Sequence, residues 1–286
     1  MLFRSVVVLE VRLPRILTAA TVGGGLAVAG AVFQGILLNP LADPYTLGVS
    51  AGAAFGASLA ILFSLAGGLY SVPLCAFAGA MITLGLVIYL TSSGRQSGFS
   101  SNNLILAGII VGAILSAGIS FLKYLADEQV AVIIFWLMGS FASKTWSELF
   151  LVLSLTILGS LVCLFFARDL NLIALGSRAA SSLGVNTGRV TLILLVTASL
   201  MAAGAVSVSG IIGFVGLLVP HMVRFLTGPD NRKLIPVSLL SGAVLLLGAD
   251  TMIRAVLPGE IPIGVLTALI GGPVFCYVFR KRQMRY

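Results

Sequence analysis

The chain is written in long apolar runs separated by short polar breaks, and no run alternates polar and apolar residues as a barrel strand would. Each crossing of a hydrocarbon layer roughly 30 Å thick takes about 20 helical residues, because lipid offers unpaired backbone groups no partner. On that rule the pattern predicts nine helical spans, at 16–38, 45–66, 71–91, 104–126, 147–167, 190–209, 211–226, 234–257 and 261–279. The opening stretch MLFRSVVVLEVRLPR is broken by Glu10 and Arg12 and reads as too short to cross. The expected fold is an all-α, polytopic transmembrane helical bundle, one domain over residues 1–286.

Composition agrees: 59% of the residues are hydrophobic, 9% are charged, and mean hydropathy is +1.13. The net charge of +8 does not point to nucleic acid, because the charges sit in short breaks between spans, where they report orientation. With the tail RKRQMR inside, alternation places Arg95, Arg168, Arg178, Arg189, Arg224, Arg232, Lys233, Arg280, Lys281, Arg282 and Arg285 inside and Arg4, Arg12, Arg15, Lys123, Lys144 and Arg254 outside. That bias fits a multi-pass protein of a prokaryotic plasma membrane. Nine spans ending inside start outside, so the parity predicts one further leading helix ahead of this sequence.

The stretch Gly210–Lys233, GIIGFVGLLVPHMVRFLTGPDNRK, reads as a short, glycine-broken helix that ends in Pro220-His221 and a basic turn, a hinge facing a cytoplasmic partner. The helix Gly23–Leu38, followed by Asn39-Pro40 and Ala42-Asp43-Pro44, echoes the helix from Ile211, followed by Pro220-His221 and Gly228-Pro229-Asp230. Broken helices at matching places in two halves mark transporters built from inverted repeats. Gly48, Gly52 and Gly56, like Gly108 and Gly112, recur every fourth residue and line helix faces that admit a close neighbour.

Conventional chemistry is sparse. Cys75, Cys163 and Cys276 fall singly in apolar runs, without disulfide or metal-ligand spacing. His221, the one histidine, has no second ligand nearby in sequence and is read as a helix-end or partner-contact residue. No Gly-Lys-Ser/Thr phosphate loop occurs, so nucleotide hydrolysis is not expected of this chain, nor is any bound cofactor or metal. Gln34 and Asp250 are the polar residues deepest in spans, Asp250 one helical turn from Arg254. A proton-coupled secondary transporter with Asp250 as relay is the alternative this leaves. Phe135, Trp136 and Met138, after Lys123, Asp127 and Glu128, form an outer cluster that reads as an interfacial anchor or a guide for a planar ligand.

Seven stretches, taken in order, resemble the FecCD-like permease subunits of type II ABC importers: RLPR at 12–15, GAVFQGILLNPLADPYTLGVSAGAAFG at 30–56, LILAG at 104–108, FWLMGSF at 135–141, LGSRAASSLGV at 175–185, GIIGFVGLLVPHMVRF at 210–225 and EIPIGVLTALIGGPVF at 260–275. Such subunits have ten helices, and the one ahead of RLPR is absent here. The resemblance implies import of an iron-siderophore, haem or cobalamin-type chelate. It implies a homodimer in lipid, two cytoplasmic ATPase subunits that bind ATP and magnesium, and an extracytoplasmic binding protein.

It also implies roles. Leu175, Gly176, Arg178, Leu183 and Gly184, in the inside loop 172–189, would couple to the ATPase through a pair of short helices. Asn39, Leu41, Ser101 and Asn102, in two inside loops, would form the cytoplasmic gate. Arg12, Arg15 and Arg254 would dock the binding protein through its carboxylates.

Overall fold

The structure, a computed structural model, describes residues 6–65, 71–92, 100–256 and 261–283. Arg4, Arg95 and Arg285 of the loop count lie outside these. The described residues fold into helices α1 Val7–Ile36, α2 Val49–Leu62, α3 Ser71–Ser92, α4 Ser101–Leu125, α5 Val130–Leu137, α6 Trp146–Phe165, α7 Ala167–Ile173, α8 Ser177–Ser182, α9 Thr187–Ser209, α10 Val215–Thr227, α11 Asn231–Val256 and α12 Ile263–Gln283. Six are long and apolar enough to cross a membrane: α1, α3, α4, α6, α9 and most of α11; shorter apolar helices are α2, α10 and 263–277 of α12.

Three expectations change. First, α1 starts at Val7, not at 16: its first six residues are π-wound, and Pro14 follows where the α-helical winding begins at Leu13. Second, the span expected at 45–66 shrinks to the 14 residues of α2, and that at 211–226 to the 13 of α10. At 1.5 Å per residue each is about 20 Å long, too short to cross alone. Third, Pro220 and His221 lie in the middle of α10 rather than at its end.

Both short helices begin at a residue in the left-handed region, Gly48 at φ 77° and Phe214 at φ 67°. Such a residue turns the chain sharply into a helix. Glycine does so freely, whereas phenylalanine carries a strain of roughly 1–2 kcal/mol.

The repeat is present, with different partners from those read off the sequence. A long buried helix, a non-helical link and a half-helix recur as α1–α2 and α9–α10, and each is followed by two long helices, α3–α4 and α11–α12. Packing repeats accordingly: α1 against α10 and α11 corresponds to α9 against α2 and α3, while α6 packs on both α1 and α9. Corresponding helices run in opposite directions, as an inverted repeat requires.

Helix association in lipid gains little from apolar burial and depends on close packing, so glycine sits at the crossings. Gly30 of α1 meets the backbone of Gly216 on α10, Gly23 meets Gly242 on α11, and Gly52 and Gly56 of α2 meet Gly79 and Cys75 of α3. Gly108 rests on Thr46 and Leu47 ahead of α2. The expected glycine faces on 48–56 and 108–112 are thus contact faces.

Candidate transport and coupling sites

Functional side chains gather at the two ends of the bundle. One end carries α5, the start of α1 and the end of α11. Asp250 is 1% exposed there. Its carboxylate takes Arg15 Nη2 at 3.0 Å and Arg254 Nε at 3.1 Å, and Arg15 Nε adds bonds of 3.2 and 3.3 Å. The sequence paired Asp250 with Arg254 alone. Arg15 is 235 positions away and arrives only because α1 packs along α11. Arg15 and Arg254 are therefore brought together on one carboxylate, while Arg12 is exposed one turn before Arg15.

On the same end Lys144 Nζ bonds the Val208 carbonyl at 2.6 Å, at the C-terminal end of α9, where a cation is favoured, and pairs with Glu148 at 3.3 Å. Thr145 and Glu148 form a capping box that starts α6. Phe135 is 64% exposed on α5, and Trp136 is half-buried.

The opposite end carries the loops expected to form gate and coupling site. Asn39 Oδ1 accepts from the Leu41 N–H at 2.9 Å, a local turn bond that leaves Leu41 exposed. Ser101 and Asn102 lie in the first turn of α4 rather than in a loop, and Ser101 Oγ reaches the Ile36 carbonyl of α1 at 3.4 Å. The structure thus joins the two expected gate segments at the end of α1, with Asn102 exposed beside the contact.

The expected pair of short helices is α7 and α8, though α7 begins at Ala167, ahead of the 172–189 loop. Gly176 at φ 105° and Gly184 at φ 88° bracket α8, conformations that other residues reach only with strain. Leu175 is 68% and Leu183 62% exposed, Arg178 is exposed, and a Cβ at Gly176 or Gly184 would meet nothing within 4 Å.

Polar contacts that sequence reasoning missed lie behind α8. Asn171 Nδ2 donates to Asp230 Oδ1 at 2.7 Å, and Asn171 Oδ1 accepts from the Asn231 backbone at 2.9 Å and from Asn231 Nδ2 at 2.7 Å. The Asn171 bond and the Arg232 N–H hold the Asp230 carboxyl below its ordinary range. Gln34 donates to the Leu217 carbonyl and accepts from Arg224, each at 3.1 Å, joining α1 to α10.

His221 is 8% exposed, with ring centroids 5.1 Å from Phe225 and 6.2 Å from Phe275. It is a packed mid-helix residue rather than a helix-end one. Among the described residues no three His, Cys, Asp or Glu side chains cluster as metal ligands.

Comparison with known proteins agrees with this geometry. The model of the FecCD transport family matches residues 2–281. The cobalamin import system permease protein BtuC of Halobacterium salinarum is 42% identical over 98% of this chain and 75% of its own. The hemin transport system permease protein HmuU of Yersinia pestis is 42% identical over 97% of this chain and 84% of its own. A solved structure described as an inward-facing conformation of a metal-chelate type ABC transporter superposes at a TM-score of 0.91 with 38% identity, over 98% of this chain and 89% of that one. With a family match along nearly its whole length and a broken-helix inverted repeat to go with it, the chain belongs to the FecCD family of multi-pass permeases of ABC importers.

Proposed function

We propose that this permease moves a metal chelate of the siderophore, haem or cobalamin class into the cytoplasm as a homodimer driven by two separate ATPase subunits. The observation that carries the proposal is α8: a six-residue helix between two left-handed glycines, with Leu175 and Leu183 presented outward. A short exposed helix flanked by exposed leucines suits seating in a partner's groove. Basic residues cluster at this end, in Arg178, Arg189, Arg232 and Lys233, which makes it the cytoplasmic face.

Loading works by differential contact. ATPases that close on α8 in one state and release it in another supply the free energy that shifts the bundle between outward- and inward-open forms. At the outer end, Arg12 with Arg15 and Arg254 offers guanidinium groups to a binding protein's carboxylates. At the inner end, Asn39, Leu41, Ser101 and Asn102 lie where α1 and α4 meet, so parting there opens the mouth without burying a charge. The relay alternative gains nothing, since the Asp250 carboxylate is held between the guanidinium groups of Arg15 and Arg254 at the outer end of the bundle.

The test is Gly184→Trp against Gly184→Ala in vesicles that hold the permease, its ATPase and its binding protein. Both variants carry the same backbone strain, but only Trp projects bulk onto the partner's seat. ATP-driven uptake should fall roughly tenfold or more for Trp beyond its fall for Ala. Equal uptake by the two variants would remove α8 as the coupling contact.

A further inference from the structure

Helix α11 is held by polar side chains at both ends, and between them it packs on α1 at a glycine crossing flanked by Leu239 and Leu246. At its start Asp230 and Asn231 are clasped by Asn171 of α7, through bonds of 2.7, 2.9 and 2.7 Å, and the Asp230 carbonyl accepts from Leu234 at 2.9 Å to open the helix. Twenty residues on, about 30 Å along the axis, Asp250 binds Arg15 of α1 at 3.0 Å. Between these points Gly242 crosses Gly23 with no side chain interposed. A glycine crossing lets one helix pivot or slide on another, while a continuous helix transmits that displacement along its length.

We infer that α11 is a lever joining the two faces of the permease, with Asn171, Asp230 and Asp250 as its positioning residues. This rests on the reading that α8 meets the ATPase and that Arg15 and Arg254 meet the binding protein. Pull on α8 reaches α7 through the half-turn 174–176, and α7 is tied to α11 by the clasp. From outside, a carboxylate arriving at Arg15 and Arg254 competes with Asp250 for the same guanidinium groups and loosens the far end of the same helix. A cavity of about 340 Å³ lined by Gln34, Asn39, Ala174, Arg224 and Asn231 lies beside the clasp and gives α7 room to shift. Asn231 Oδ1 has no hydrogen-bond partner among the described residues, so the clasp is one bond short of saturation and a rearrangement that brings a donor to this oxygen relieves its desolvation cost.

Linkage makes the inference measurable without either partner, because a coupling free energy acts equally in both directions. Hydrogen exchange is followed by mass spectrometry on the full chain in lipid nanodiscs. Asp250→Asn weakens the outer end; Thr251→Val, an exposed neighbour whose hydroxyl bonds the Leu247 carbonyl of its own helix, is the control.

With Asp250→Asn, amides in 167–174 and 228–234 should exchange about tenfold faster, while α2 and α3 keep their protection and the control changes nothing. Exchange that rises only in 246–256, or uniformly through α2 and α3, overturns the lever. If Asp250→Asn does not fold, Asn171→Ala gives the reciprocal measurement, and unchanged exchange at 250–256 overturns it equally. Uptake without an ATPase would instead sink the transport reading and leave this measurement intact.

Discussion

Gly30→Leu should leave no folded permease. A Cβ at Gly30 would meet the carbonyl oxygen, carbonyl carbon and Cα of Gly216, all backbone atoms of α10. Neither helix can yield by a rotamer change, and α1 is buried around the site, with Ala29 and Ala31 both at 0% exposure. Overpacking a core usually costs about 1–3 kcal/mol when side chains can shift. Here the two backbones must separate, which also opens the Pro44 contact on Gly216. Membrane insertion should persist, since leucine is more apolar than glycine, so the loss should show as aggregation on extraction rather than as missing protein. Gly85→Leu, where a Cβ meets nothing within 4 Å, should extract as a monodisperse species. Normal extraction of Gly30→Leu would mean that the α1–α10 crossing is looser than the structure shows.

Asp250→Ala should be the most destabilising single change at the outer end. The carboxylate is 2% exposed and serves Arg15, whose side chain is 13% exposed, and Arg254, at 30%. Removing it takes the shared carboxylate away from two guanidinium groups, one of them largely buried, and breaking a buried pair in this way costs roughly 3–5 kcal/mol. Arg254→Ala leaves Asp250 still paired with Arg15 and removes the more hydrated partner, so its cost should stay within about 1 kcal/mol. Thermal unfolding in detergent separates the two: a large drop for Asp250→Ala and a small one for Arg254→Ala. Equal drops would mean that the two arginines share the carboxylate evenly.

Apolar run length made the membrane bundle, its long helices and most loop positions legible, because a span in lipid has little freedom of length or composition. Run length could not distinguish a crossing helix from a half-helix joined to an extended link. Leu47–Val49 and Gly210–Val215 are as apolar as their surroundings, and what sets them apart is backbone conformation at Gly48 and Phe214. The glycine spacing at 48–56 and 108–112 was readable as a contact face, since helical periodicity alone puts those residues in line. Their partners were not, because nothing local tells Gly30 that it will meet Gly216. Arg15 with Asp250, and Asn171 with Asp230, were hidden for the same reason: each joins residues dozens to hundreds of positions apart, and single polar residues at helix ends carry no mark of their partner.

In the proposed function this chain provides a path and a separate ATPase gripping α8 provides the drive. The most direct measurement is uptake of haem, cobalamin and a ferric siderophore into proteoliposomes, with the permease alone and with its ATPase, binding protein and internal ATP. At least one of these chelates should accumulate with the full set and none with the permease alone, even under an imposed proton gradient. Accumulation by the permease alone would mean that transport needs no separate ATPase and that α8 is not where the drive enters.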